Sequence, residues 1–188
     1  MGIEIIRPRP SFPGEEFQGN AVGVDTMARV PGLTSQNTTS SQRLWLTYFT
    51  AYRAFTVNTI AVCTAGTPAG ATPTLIRYGL YTADSNGALT ALVASTANDT
   101  TLLSAGNTLY AKATSASYTT VVGQRYAGAF LCVTGATVPT LQGASGAATL
   151  FSLAPRIAGY VGSQADLPAT VAAGSLTNTG TAMWMGFY

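Results

Sequence analysis

The residues of this chain able to do acid–base chemistry are carboxylates and little else. There is no histidine, so the commonest general base, and the usual partner of a serine or cysteine nucleophile, is missing. The acidic residues are Glu4, Glu15, Glu16, Asp25, Asp84, Asp99 and Asp166, of which the first four fall within residues 1–42. Asp84 and Asp99 form the one close pair in the remainder. A glycosidase needs two carboxyl groups about 5 to 9.5 Å apart across a cleft. Both aspartates instead stand in turn-like contexts, "ADSNG" and "ANDT", where Asp commonly bonds its own backbone.

"DSNG" also alternates oxygen ligands at Asp84 and Asn86, as a calcium loop does. Such a loop needs further carboxylates and a bidentate Glu downstream, so the hairpin turn is the better reading. "AGTPAGATP" and "GASGAA" are glycine-rich, but neither has the spacing that cradles a phosphate. Cys63 in "IAVCTAG" and Cys132 in "AFLCVTG" read as small buried hydrophobes, with a bridge between adjacent strands as the alternative. Without histidine, two cysteines are too few to hold a metal. No catalytic residue, cofactor or metal is expected.

The elements that position these residues follow from composition. Hydrophobic residues make up 47% of the chain and charged residues 9%, against a usual charged share of about 25%. With Lys112 as the only lysine, long amphipathic helices lack the residues that fill their polar faces. Thr, Ser, Gly, Val and Tyr suit strands and turns. The arginines Arg7, Arg9, Arg29, Arg43, Arg53, Arg77, Arg125 and Arg156 are scattered and the net charge is +2. Nucleic acid is therefore an unfavoured partner, because phosphate binding needs a dense basic footprint. No run approaches the roughly 18 apolar residues of a membrane span, and the opening residues lack a secretory pattern, so synthesis and assembly in a cytoplasm are expected.

From Arg43 onward, short alternating runs are punctuated by turn residues, the pattern of a sandwich or barrel. Strands are predicted over 44–50, 54–64, 74–82, 88–96, 109–114, 118–122, 126–135, near "SLAPRIAGYVG" and over 182–188. Within 54–64, Phe55, Val57, Thr59, Ala61 and Cys63 are expected on one face and Ile60 and Val62 on the other. Asn86-Gly87 is expected to supply positive φ angles for a hairpin. Residues 126–135 form the most apolar strand and should be central, Pro155 marks an edge or a bulge, and the last residues should belong to a sheet. The predicted fold is all-β: a two-sheet β-sandwich of jelly-roll type over residues 43–188, with a closed barrel as the alternative.

Residues 1–42 read as an extended N-terminal arm and linker. "RPRPSFP" sets Pro8, Pro10 and Pro13 so close together that neither helix nor central strand is possible. Ile3, Ile5, Ile6, Phe12 and Phe17 make the segment more apolar than a disordered tail. An extended segment of this kind wants a surface to lie on. Ile3, Ile5, Ile6, Pro8, Pro10, Phe12 and Phe17 are therefore the candidate assembly residues.

The runs "LWLTYFTAYRAFTVNTIAVCTAGTPAGATPTLIRYGLYTADSNGALTALVASTANDTTL" and "SYTTVVGQRYAGAFLCVTGATVPTLQG" resemble domains of virion proteins of tailed bacteriophages of actinobacteria, of the minor tail type. The resemblance covers a little over half of the chain and rests on ordered strand-and-turn phrases. It implies a non-enzymatic structural domain in a virion, with other virion proteins (major capsid or tail proteins) and copies of itself as partners. A single sandwich behind an arm also suits a head decoration protein, whose arm would run across capsid subunits. A carbohydrate-binding module for host-surface glycans is the alternative, since exposed aromatic pairs on a sandwich can stack on sugars.

Overall fold

In the computed structural model, residues 24–27, 34–36, 40–70 and 73–188 are described. They form an all-β protein of twelve strands and one short helix. Two short strands, β1 (Val24–Asp25) and β2 (Thr34–Gln36), precede the long ones. These are β3 (Arg43–Thr50), β4 (Thr56–Cys63), β5 (Pro73–Ala83), β6 (Leu89–Ser95), β7 (Leu109–Thr119) and β8 (Arg125–Thr134). Then come β9 (Leu141–Ser145), α1 (Ala148–Ser152), β10 (Ala158–Val161), β11 (Thr181–Met183) and β12 (Met185–Phe187).

One sheet has the order β10-β3-β8-β5-β6, a second β1-β12-β4-β7, and a small third β11-β9-β2, and every pairing is antiparallel. The apolar run over β8 occupies the centre of the five-stranded sheet, between β3 and β5, as its composition predicts. The principal core unites the two large sheets. Trp45 and Phe49 of β3, Ile76, Tyr78 and Leu80 of β5, and Phe130 and Cys132 of β8 join Val57, Ile60 and Val62 of β4 and Met185 and Phe187 of β12.

A second core covers the other face of the five-stranded sheet. Leu44, Leu46 and Tyr48 of β3 and Ala127, Ala129 and Leu131 of β8 pack there with Leu167 and Val171, and Leu176 lies against them. These last three belong to a strap over residues 162–180. It is pinned by reciprocal backbone bonds between Leu89 and Val171 (2.8 and 3.0 Å) and between Tyr160 and Thr177 (3.2 and 2.9 Å). The Tyr81 hydroxyl also donates to the Pro168 carbonyl at 2.7 Å. Covering both faces explains why β3 and β8 read as continuous apolar runs instead of alternating ones.

Four local expectations are corrected. Val57 shares the core with Ile60 and Val62, not a face with Cys63. The cause is a bulge: the N–H groups of Asn58 and Thr59 both donate to the Tyr188 carbonyl, at 2.5 and 2.9 Å, and the extra residue reverses the alternation. The predicted strands 109–114 and 118–122 are one strand ending at Thr119, and Val121 and Val122 lie exposed in the turn beyond it. Residues 141–145, which fall outside every predicted strand, form β9. In the hairpin after β5, only Gly87 has positive φ (93°) and Asn86 does not; the Gly87 N–H bonds the Asp84 carbonyl at 3.2 Å. The C-terminal strands do belong to sheets, as expected. Pro155 sits between α1 and β10, and β10 forms one edge of the five-stranded sheet.

Candidate functional site

Among the described residues, the carboxylates of Asp84, Asp99 and Asp166 do not converge. Asp84 Oδ1 accepts the Ala88 N–H at 2.9 Å, closing its own turn. Asp99 Oδ1 accepts the Thr101 N–H (3.1 Å) and hydroxyl (2.6 Å), and Oδ2 accepts Lys112 Nζ at 2.6 Å. These bonds, that of Lys112 first, hold the Asp99 carboxyl down to about 2. The Asp99 N–H bonds the Ile76 carbonyl, whereas Asp84 directly follows Ala83. Seven residues of β5 separate those levels, about 23 Å at 3.3 Å per residue, far beyond glycosidase spacing. Asp166 pairs with Arg77 at 2.7 Å on the surface. Among the described residues, no three of His, Cys, Asp and Glu come together as a possible metal site.

Cys63 and Cys132 are free thiols on different sheets, Cys63 half-buried on β4 and Cys132 buried in the principal core. The bridge considered for them is not formed. Burial raises the Cys63 thiol and pushes Cys132 up to about 11. Both tryptophans are buried, Trp45 at 5% and Trp184 at 4% exposure. Trp45 packs on Tyr160 with ring centroids 5.1 Å apart, and Tyr52 is the one aromatic among the large exposed apolar residues of the described chain.

What the described surface does offer is apolar. Tyr52, Val121 and Val122 are each more than half exposed. They share one end of the sandwich, where the β3–β4 and β7–β8 connections are joined by the bonds Ala51 N–H to Gln124 O (3.0 Å) and Gly123 N–H to Ala51 O (2.7 Å). Leu150, Leu153 and Ile157 form a second exposed group around α1, fixed by the Ile157 N–H bond to the Phe151 carbonyl at 2.7 Å. Sequence reasoning placed Val121 and Val122 inside a strand and did not single out the second group. The signal available was the polar Thr119-Thr120 step followed by Gly123 for the first, and Pro155 for the second.

Of the candidate assembly residues, Ile3, Ile5, Ile6, Pro8, Pro10, Phe12 and Phe17 lie outside the described residues. The root of the segment is described. Val24 and Asp25 pair with Phe187 and Gly186 at the edge of the four-stranded sheet. Thr26 fastens this root: its N–H donates to the Met185 carbonyl at 2.8 Å, and its hydroxyl oxygen accepts the Met185 N–H at 2.9 Å. Part of the region read as linker thus contributes strands to the sheets. No helix among the described residues is long and apolar enough to cross a membrane. Comparison of the sequence with protein-family models and with curated proteins finds no match.

Proposed function

We propose that this chain is a structural protein of a bacteriophage virion, a head decoration or minor tail component, held to the particle by its N-terminal segment and displaying the β-sandwich. The observation that carries the reading is where that segment enters. Its root is a hydrogen-bonded edge strand, β1, so residues 1–23 start from a fixed point at the rim of a sheet. Their apolar and proline-rich sequence suits extended binding across other subunits. The low-charge surface and the two exposed apolar groups suit neighbours packed closely around the module.

We read the fold as a jelly roll. What supports this is strand order. Taking β1, β3, β4, β5, β6, β7, β8 and β12 as the first to eighth strands, one sheet runs first, eighth, third, sixth and the other second, seventh, fourth, fifth. Two interleaved Greek keys generate that order, in an architecture that viral capsid proteins use and lectins and cupins share. Architecture alone does not select among those roles. A sugar-binding role has less support, because both tryptophan rings are buried and, among the described residues, Tyr52 is exposed without a second ring stacked beside it.

The test is association with purified particles. Replacing Ile3, Ile5 and Ile6 together by Asp should leave a folded protein whose copy number per particle falls at least tenfold. Wild-type stoichiometry in that variant overturns the tether. Threefold clusters on the shell in cryo-microscopy would specify decoration, and density confined to one end would specify the tail.

A further inference from the structure

We propose that the outer edge of β7, over Leu109–Ala113, receives residues 3–7 of a second copy of this chain as an added antiparallel or parallel strand. This rests on the tether reading above and names one partner of that segment.

Among the described residues, the edge is open by its hydrogen bonding. Thr59 exchanges bonds with Tyr188, N–H to carbonyl at 2.9 Å and back at 3.0 Å, so its backbone groups face β12 and its β7 partner Ala113 is a pair without mutual bonds. The Thr64 N–H bond to the Thr108 carbonyl, 2.9 Å, continues the same phase. Alternation then turns the N–H and C=O of Leu109, Ala111 and Ala113 away from β4, toward the rim. All three side chains are exposed, Leu109 by 56%.

The other rims of the two large sheets are shorter or occupied. β6 is met by Val171 at Leu89, and beyond its other end Thr96 bridges Thr114; β10 is met by Thr177 at Tyr160; β1 is two residues long. Natural edges are commonly guarded by Lys or Pro. β7 contains no proline, and its Lys112 is drawn onto Asp99 at 2.6 Å, which removes the one charge that would defend the rim. Past Ala113 the bridge to Thr96 closes the edge, so the open stretch is Leu109–Ala113.

The occupant follows from length and sequence. Within residues 1–23, Ile3-Glu4-Ile5-Ile6-Arg7 is the strand-forming stretch free of proline and glycine, and it matches the open stretch residue for residue. Pro8, Pro10 and Pro13 then prevent the added strand from running on. Residues 8–23 can span on the order of 50 Å at about 3.1 Å per residue, while the four-stranded sheet is about 15 Å across. The segment departs from β1, at the rim opposite β7, so pairing it with the next copy's β7 makes a heterologous, head-to-tail contact that closes as a ring or propagates. Main-chain bonds supply the affinity in such strand addition.

The test uses the full chain with Ala111→Pro. The Ala111 N–H points outward, so proline removes a donor that only an added strand would use. The wild-type chain should self-associate in light scattering coupled to size exclusion. A111P should dissociate at protein concentrations at least tenfold higher, with an unchanged circular-dichroism spectrum. A monomeric wild type, or a folded A111P that associates normally, overturns the proposal. As a check independent of A111P folding, full chains carrying Cys63→Ser with Ile5→Cys or with Ala111→Cys are mixed and treated with a bis-maleimide. Cross-links between the two kinds of chain are expected; their absence, with a Cys63→Ser chain carrying both Ile5→Cys and Ala111→Cys cross-linking only internally, would place the segment on its own edge and overturn the second copy. Loss of particle association in the Ile-to-Asp variant without any such cross-link would sink the β7 edge and leave the tether standing. Cross-links together with full particle association in that variant would sink the tether alone.

Discussion

Lys112 of β7 and Asp99 of the β6–β7 crossing meet at 2.6 Å, tying the connection between the two large sheets to an edge strand. Hydrogen bonds from Lys112 and then Thr101 hold the Asp99 carboxyl at about 2, below the roughly 3.9 of an unfolded chain. A depressed carboxylate stabilises the folded state above its unfolded value, and that contribution is lost as pH falls from about 4 toward about 2. Asp99→Asn should therefore lower stability at neutral pH and flatten its acid dependence over that window. Lys112→Met should cost less than about 1 kcal/mol at neutral pH, the range of partly exposed pairs, and keep part of the acid slope through Thr101. Urea titrations at stepped pH measure both. An unaltered acid slope in Asp99→Asn would remove this account.

Gly87 combines a positive φ of 93° with contact to Arg156, whose Cδ would lie 2.6 Å from an added Cβ. Its carbonyl also accepts the buried Tyr48 hydroxyl at 2.8 Å. Gly87→Ala should thus lower stability by about 1–3 kcal/mol through backbone strain and displacement of the arginine. Gly135→Ala, where a Cβ meets nothing within 4 Å and φ is not positive, is the control and should stay within about 0.5 kcal/mol. Equal midpoints in chemical denaturation would mean that the hairpin does not constrain the loop end.

Neighbouring residues of β8 serve opposite cores: Phe130 faces the principal core and Leu131 the strap side, both with no exposure. Leu131→Ala should cost about 2–5 kcal/mol and Phe130→Ala about 3–5 kcal/mol. A Leu131→Ala cost near zero would show that the strap over 162–180 does not seal its face. Limited proteolysis separates the two effects, since loosening the strap should speed cleavage near Ser163 and Gly174 in Leu131→Ala more than in Phe130→Ala.

The all-β class was legible because the chain lacks residues for polar helix faces, and the central place of β8 because "YAGAFLCVTG" has no polar alternation. The turn roles of Asp84 and Asp99 were legible for a local reason: each bonds backbone within four residues. What failed depended on distant partners. The bulge at Asn58 and Thr59 requires the Tyr188 carbonyl, which nothing near residue 58 announces, so the inward phase of Val57 was missed. β9 is dominated by small residues and is held in place by β2 and β11, each far away in sequence. The strap was invisible because Leu167, Val171 and Leu176 are spaced neither as a helix nor as a strand, and they are buried only because the sheet has a second apolar face. The candidate assembly residues Ile3 to Phe17 rest on composition, and what the structure adds is the anchored root at Thr26.

The two thiols offer a separate check on packing. Cys132 lies within the principal core at 1% exposure, and burial pushes its thiol up to about 11, so at pH 8 it has neither access nor an appreciable thiolate fraction. Cys63 is half-buried on the outer side of β4, its thiol raised only by partial burial. A maleimide should modify Cys63 slowly in the folded protein, and Cys132 only on unfolding, at a rate that denaturant accelerates. With the thiols on different sheets, the mass under non-reducing conditions should equal the reduced mass. Fast labelling of Cys132 in the absence of denaturant would contradict its burial in the core between the two large sheets.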